Sequence, residues 1–184
     1  MKIKPLAVLF AAAALSASPS FAQSSGGDVI KDALVKHWKT TGDFTIAVAR
    51  MMPAADYSFR PVPEELSFGQ LMIQIAVANV GACANASGMT RPPTPPELMK
   101  ALRDEKINAE KDAAVKYLTD TFEFCNQAVA SMTPEKFDAM VGPENRKMTG
   151  FEWLWSYFTH TAHHRGQAEV YLRIKGITPT TYTF

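Results

Sequence analysis

Residues 149–176 read TGFEWLWSYFTHTAHHRGQAEVYLRIKG and carry the signals of one long α-helix. Thr149 and Glu152 have the spacing of a capping box, in which each side chain accepts a hydrogen bond from the backbone N–H of the other residue. Gly176 is placed to end the helix, because glycine readily adopts the left-handed conformation that follows many helices. We therefore predict a helix over about 150–175.

Three of the chain's four histidines lie in this predicted helix, at positions 160, 163 and 164. Residues four apart lie on one face of an α-helix, one turn from each other, so His160 and His164 can direct both imidazoles toward one point. Metal sites with two histidine ligands need this arrangement. His163 points away from His164 and is not predicted to be a ligand. His160 and His164 are therefore the candidate metal ligands.

Three further helices are predicted from similar signals. The capping spacing recurs at residues 67–70 and 94–97, which predicts helices over about 68–87 and 95–131. An earlier helix, which Pro53 ends, is indicated by an inward-facing stripe at three-and-four spacing. The stripe consists of Ile30, Leu34, His37, Thr41, Phe44, Val48 and Met51. Four long helices with Pro-rich connections predict an all-α four-helix bundle with long crossover connections.

The N-terminus has the features of a cleaved secretory signal. Two lysines precede an apolar run over residues 6–15 that is too short to span a bilayer, and Ser20-Phe21-Ala22 supplies the small residues that signal peptidase accepts. We therefore expect a signal peptide over residues 1–22 and one domain over residues 23–184. The mature protein is expected in the periplasm or outside the cell.

Composition argues against several classes of function. The 19 Lys and Arg residues are scattered among 18 Asp and Glu residues, so no surface for nucleic acid is predicted. No segment after the signal is long and apolar enough to span a membrane, so no membrane association is expected after cleavage. The sequence has no Gly-rich phosphate loop after a strand and no Gly-x-Ser-x-Gly nucleophile elbow.

Four segments of the chain resemble one known family. They are residues 52–61, 67–71, 160–167 and 171–177, of which the third, HTAHHRGQ, is the most specific. On these residues the mature chain resembles the DinB-like (YfiT-like) superfamily of four-helix bundles. The resemblance implies a divalent metal ion, zinc or nickel, held by one histidine of the second helix and two of the fourth, here His160 and His164. Some relatives are thiol-dependent S-transferases, and others are regarded as metal hydrolases.

The resemblance also places Gln74 where the family has its helix-two histidine. A glutamine amide is neutral and offers a hard carbonyl oxygen, so it binds zinc or nickel less well than imidazole does. His37 is an alternative third ligand, although a lone histidine on an inward helix face is more often a core residue. A different interpretation is that His160 and His164 only hydrogen-bond to Gln74 and Tyr157 in a closed polar patch, with no metal at all.

Two functions therefore remain open. The first is a divalent-metal-dependent enzyme of the hydrolase or transferase type, with a weakened metal site and an unknown small-molecule substrate. The second is a non-catalytic exported bundle that binds a small molecule or acts under stress and has lost its metal. Tyr157, Gln167 and Tyr171 share approximately the face of the two histidines, so they are candidate pocket residues.

Cys83 and Cys125 are the only cysteines. Cys83 lies late in the predicted second helix and Cys125 lies late in the predicted third. An exported protein meets an oxidising environment, so a disulfide is favoured if the helix register brings the two cysteines together. Otherwise both would be small buried apolar residues. Met-rich and aromatic faces of the bundle could also pair two copies as a homodimer.

Overall fold

The computed structural model describes residues 26–183, and the predicted signal peptide lies outside this range. The described chain is all-α, as predicted, with six helices and one very short hairpin. The helices are α1 (Gly26–Met51), α2 (Phe68–Ser87), α3 (Pro96–Arg103), α4 (Lys111–Ala130), α5 (Pro134–Asp138) and α6 (Gly150–Ile174). The strands are β1 (Met140–Val141) and β2 (Met148–Thr149), and a 3-10 turn covers Ala54–Asp56.

The four long helices, α1, α2, α4 and α6, form the predicted bundle. α2 packs mainly against α4 and α6, and α1 packs against the same two helices. α1 and α2 therefore occupy opposite corners of the bundle, as do α4 and α6. The connections over residues 52–67 and 131–149 each run between diagonal corners, which confirms the prediction of long crossover connections.

Two of the three predicted capping boxes are confirmed. The Ser67 hydroxyl accepts the Gln70 N–H and the Gln70 side chain accepts the Ser67 N–H, so α2 begins where the sequence indicates. Thr149 and Glu152 make the same reciprocal pair at the start of α6. Gly176 has a φ of 74°, just after the end of α6, as its predicted role as a helix stop requires.

The prediction of one continuous helix over 95–131 is wrong, because residues 104–110 separate α3 from α4. α3 ends at Arg103, and Asp104 is extended, with its Oδ1 accepting the Lys106 N–H at 3.0 Å. A short acidic side chain that binds nearby backbone competes with helical hydrogen bonding, so the chain leaves the helix before α4. The predicted cap at Thr94 is also wrong, because Pro95 holds the cap position and the Thr94 hydroxyl instead hydrogen-bonds to the Tyr117 hydroxyl at 2.8 Å.

A buried polar pair sets the register of α2 against α6. The amide Nδ2 of Asn79 donates to the Thr161 hydroxyl at 2.8 Å, and that hydroxyl donates to the Tyr157 carbonyl at 2.9 Å. Both Asn79 and Thr161 are fully buried, so sliding either helix would leave the side-chain amide of Asn79 without its partner. The Tyr171 hydroxyl, near the end of α6, donates to the Leu66 carbonyl, just before the start of α2. The two helices therefore run antiparallel.

The hairpin between α5 and α6 places a loop beside α6. Met140 pairs with Thr149 and Val141 with Met148 in an antiparallel register. The Trp153 indole donates to the Val141 carbonyl at 3.0 Å, which ties the hairpin to the first turn of α6. The residues between the two strands, including Arg146, are therefore held against the outer surface of α6.

Candidate metal-binding site

His160 and His164 converge on the surface of α6, as their spacing predicts. Their Nε2 atoms are 3.1 Å apart, and the two rings meet edge to face at an interplanar angle of 79°. Two nitrogens bound tetrahedrally to one zinc ion, each about 2.0–2.1 Å from it, lie about 3.3–3.4 Å apart. The two imidazoles are therefore close to the separation that a shared ion needs.

Gln167 fixes the orientation of the His164 ring. Its Oε1 atom lies 2.7 Å from His164 Nδ1, and an amide oxygen can only accept, so the hydrogen bond assigns the ring proton to Nδ1. The Nε2 atom of neutral His164 is then an acceptor that faces His160. Metal-bound histidines commonly hold their second ring nitrogen in this way. Gln167 therefore supports the pair as an orienting group rather than as a wall of the pocket.

His160 is held in its neutral form. Burial lowers the pKa of His160 to about 4, with further lowering by the neighbouring His164 and His163. Only the neutral imidazole can bind a metal, and burial favours this form of His160 at neutral pH. Because His164 Nε2 is an acceptor, His160 Nε2 is the donor in their 3.1 Å contact, and its proton would have to move to Nδ1 before Nε2 could bind an ion. Its Nδ1 is buried and has no hydrogen-bond partner among residues 26–183.

Gln74 and His160 line the same pocket, between α2 and α6. The pocket has a volume of about 440 Å³. Its walls are Gln74, Val77, Ala78, Arg146, Ser156, Tyr157 and His160. The antiparallel register of α2 and α6 brings the side-chain amide of Gln74 to the pocket that also holds His160. Tyr157 also lines this pocket, whereas His164 is not among the lining residues.

Arg146 brings a permanent positive charge to this pocket. Its Nη1 donates to the Tyr157 hydroxyl at 3.0 Å, and the guanidinium lies over the rings of Trp153 and Tyr157, with 5.1 Å and 5.5 Å to the ring centroids. Sequence reasoning missed this residue, because it lies in a loop whose position depends on the hairpin. No local pattern around Arg146 could have indicated it.

The residues present fit a divalent ion only as an open and weak site. Within the described part of the chain, no three His, Cys, Asp or Glu side chains are grouped so that they could hold a metal ion. Two imidazoles and one amide oxygen would leave at least one coordination position for water or substrate. The arrangement can thus suit Lewis-acid chemistry better than structural metal binding.

The family model of the DinB superfamily matches residues 37–168, which is most of the chain. The protein belongs to the DinB superfamily. Among solved structures, it is similar to a DinB-like protein from Bacillus subtilis, with 20% sequence identity, a TM-score of 0.62, and coverage of 83% of this chain and 96% of the other. A DinB-like protein from Bacillus cereus is 16% identical with a TM-score of 0.66, and the coverage is 83% and 97%. No curated protein matches the chain.

Two predicted site residues lie elsewhere in this DinB bundle. His37 lines a separate cleft between α1 and α6, together with Thr41 and Trp155, and does not line the pocket of Gln74 and His160. Tyr171 is buried in the core, where its hydroxyl donates to the Leu66 carbonyl at 3.1 Å and its ring packs at right angles to Phe59. Tyr171 comes almost two further turns along α6 from His164, beyond the pocket.

The two cysteines of this DinB superfamily member are paired. Cys83 of α2 and Cys125 of α4 form a disulfide, with their Cα atoms 5.4 Å apart. Both side chains are fully buried in the core. A bonded and buried pair leaves neither sulfur available as a metal ligand or a nucleophile.

Proposed function

We propose that this DinB superfamily protein binds a divalent metal ion weakly through His160, His164 and Gln74 and uses it in chemistry of the hydrolase or transferase type. The observation that carries the proposal is the 3.1 Å separation of the two imidazole Nε2 atoms beside the pocket that contains Gln74. Zinc and nickel suit imidazole ligands, so they are the proposed ions.

The chain's own residues would bind and orient a substrate around that ion. A bound ion would supply Lewis acidity and would lower the pKa of a coordinated water or thiol. Gln167 holds the His164 ring, and Tyr157 holds Arg146 at the pocket through its hydroxyl. The guanidinium of Arg146 favours a small-molecule substrate with a negatively charged group.

Metal analysis of the protein purified without a histidine tag tests this proposal. We expect zinc or nickel to bind near one ion per chain at micromolar free metal, and we expect His160→Ala to abolish that binding. His37→Ala is the matched control, because His37 lines the separate cleft between α1 and α6. His163 is unsuitable, since its ring lies 4.9 Å from the ring of His164 and does not point away from it as predicted. Equal metal content in the wild type and His160→Ala would refute the proposal.

A second variant tests the role assigned to Gln74. Gln74→His replaces an amide ligand with an imidazole, so we expect it to raise zinc affinity by tenfold or more in a competition titration with a chelator. If Gln74→His leaves the affinity unchanged, then position 74 does not face the ion and the proposed ligand set is wrong.

A non-catalytic function is the second candidate, and one observation favours it. The described residues provide no third strong ligand beside the two histidines. In that case the pair would be a polar patch on a small-molecule-binding bundle that has lost its metal. Wild-type protein that binds no zinc or nickel, together with a Gln74→His variant that binds either ion tightly, would support this function over the enzyme.

We further propose that the protein is exported, with cleavage after Ala22. The support is the pair of lysines, the short apolar run and the small residues that end at Ala22. None of the helices within residues 26–183 is long and apolar enough to cross a membrane. N-terminal sequencing of the protein from its native host is expected to begin at Gln23, and a first residue of Met1 would contradict export by this route.

A further inference from the structure

A second cleft lies between α1 and α6, separate from the histidine pocket. It has a volume of about 590 Å³, within the range of small-molecule sites in proteins. Its walls are mainly apolar and include Ile30, Leu34, Phe151, Trp155, Phe158 and Ala162. Trp155 is 52% exposed and Ile30 is 45% exposed, so a large part of this apolar surface faces solvent. Apolar surface of this extent in a concave site favours an apolar ligand.

One wall of the cleft carries a buried cation. Arg165 lines the cleft and is only 8% exposed. Its guanidinium lies between the rings of Phe44 and Tyr182, at 4.9 Å and 5.0 Å from their centroids. Nη1 donates to the Thr41 hydroxyl at 2.7 Å, whereas Nε is buried without a hydrogen-bond partner among residues 26–183.

The charge of Arg165 is only partly neutralised. Glu169 Oε1 lies 3.6 Å from Arg165 Nε, beyond hydrogen-bonding distance, and the other oxygen of the same carboxylate lies 3.7 Å from Arg173. Among residues 26–183, this one carboxylate is shared by the guanidinium groups of Arg165 and Arg173, which leaves one positive charge without an ion-pair partner. The cleft wall also has His37, which is half-buried and brings no negative charge. A buried cation with an unfilled donor favours an anionic partner.

We propose that this cleft binds an amphipathic small molecule whose apolar body packs on Trp155 and Phe158 and whose carboxylate pairs with Arg165. The site goes beyond the proposed metal function, because it uses neither His160 nor Gln74. The ligand class is a medium-chain or aromatic carboxylate. A second copy of the chain could also cover the exposed apolar residues, but a dimer contact through them would not by itself pair the buried guanidinium.

Isothermal titration with octanoate, 1-octanol and octylammonium tests the proposal on the full mature chain. The three probes share one apolar body and differ in the charge of the head group. We expect octanoate to bind saturably with one site per chain. 1-Octanol and octylammonium should bind at least about tenfold more weakly, because neither head group can make a hydrogen bond between a carboxylate and the guanidinium of Arg165. Equal affinity for octanoate and 1-octanol, or no saturable octanoate binding at millimolar concentration, would overturn the proposal.

A variant that fills the cleft tests its location without removing the buried cation. Ala162 is exposed and lines the cleft, so Ala162→Phe should weaken octanoate binding at least about tenfold while the bundle stays folded. Ala130→Phe on α4 is the matched control, since Ala130 is also exposed but does not line the cleft, and it should bind octanoate like the wild type. Unchanged binding by Ala162→Phe would overturn the location.

Sedimentation separates the ligand from a protein partner. We expect the wild type and Trp155→Ala to have the same oligomeric state with and without octanoate. A wild-type dimer that Trp155→Ala or octanoate converts to a monomer would show that a second copy of the chain covers this face, and it would overturn the small-molecule proposal.

Discussion

At the scale of single residues, His160 shows how a local pattern and its burial together define a candidate ligand. The four-residue spacing brings its Nε2 to 3.1 Å from that of His164, which a helix alone could have indicated. Its neutral state depends instead on burial against α2 and the hairpin loop, which disfavours the charged ring. The sequence spacing therefore decides where the imidazole of His160 points, and its surroundings in the folded protein decide whether the ring is protonated.

The titration of His160 should reflect this burial. In metal-free protein we expect its pKa near 4, against about 6.5 in the unfolded chain. Between these values the unfolded state binds more protons, so the contribution of His160 to stability is present above pH 6.5 and falls as the pH falls toward 4. NMR titration of the imidazole protons measures the pKa, and the shift of the urea midpoint between pH 7 and pH 4.5 measures the stability.

The comparison for this titration is between two variants. His160→Asn removes the buried imidazole and should strongly reduce the pH dependence of stability, whereas His163→Asn should reduce it only slightly, because His163 is the smallest of the three causes that lower the pKa of His160. A His160 resonance that titrates near 6.5 would contradict the assigned burial.

Gln167 carries a separate prediction, because it acts on the proposed site only through His164. Gln167→Ala removes the acceptor for His164 Nδ1 and should weaken zinc binding by about 10-fold to 100-fold. Gln167→Glu keeps an acceptor at the same position and should retain most of the affinity. Chelator competition measures both, and equal affinity in Gln167→Ala and the wild type would mean that the ring needs no such support.

At the scale of the helices, the caps that were predicted correctly involve residues only three positions apart. Ser67 with Gln70 and Thr149 with Glu152 both form the expected reciprocal hydrogen bonds. The prediction of one helix over 95–131 is wrong because the Asp104 side chain binds the backbone N–H of Lys106 and the chain leaves the helix there. No Pro or Gly lies near Asp104 in the sequence to indicate this break. The outcome depends on how α3 and α4 each pack against α2, and the periodicity of one segment does not contain that information.

The two confirmed capping boxes differ in charge, which predicts a pH effect at one of them. Hydrogen bonds from Thr149 lower the pKa of the exposed Glu152 carboxylate, first through the backbone N–H and then through the hydroxyl. The stabilising effect of this carboxylate is present above its usual pKa and is lost as the pH falls through its lowered folded value. The stability difference between the wild type and Glu152→Gln should therefore shrink on acidification.

The box at α2 serves as the internal control, because its side chain is the neutral Gln70. Ser67→Ala should lower the free energy of unfolding by about 1 kcal/mol at either pH. Urea denaturation at pH 7 and pH 3.5 measures both effects, and a Glu152→Gln difference that does not change with pH would contradict the role of the charge.

At the scale of the whole molecule, long-range contacts hold α2 in place against its neighbours. The disulfide joins α2 to α4 and the Asn79–Thr161 hydrogen bond joins α2 to α6. α2 therefore has a defined register on both sides, and the position of Gln74 follows from it. Cys83 and Cys125 could be predicted as a pair only on the condition that the register brought them together.

Removal of the disulfide should destabilise the whole bundle. The bond closes a loop with a sequence separation of 42, for which the loss of unfolded-state entropy corresponds to about 4 kcal/mol at most. We expect reduction with dithiothreitol to lower the free energy of unfolding by about 2–4 kcal/mol. The double variant Cys83→Ala and Cys125→Ala should be unaffected by the reductant, and two titratable thiols in unreduced, denatured wild type would contradict the bond.

Local signals in the sequence were sufficient for α1, α2 and α6, for two of the helix caps, for the glycine after α6 and for the convergence of two imidazoles. Each depends on backbone geometry within about one helical turn. The pocket depends on helices far apart in sequence: Gln74 meets His160 there, Arg146 arrives from the hairpin, and His37 faces a different cleft. Packing decided these positions, because the register between helices depends on buried contacts such as Asn79 with Thr161, which join residues 82 positions apart.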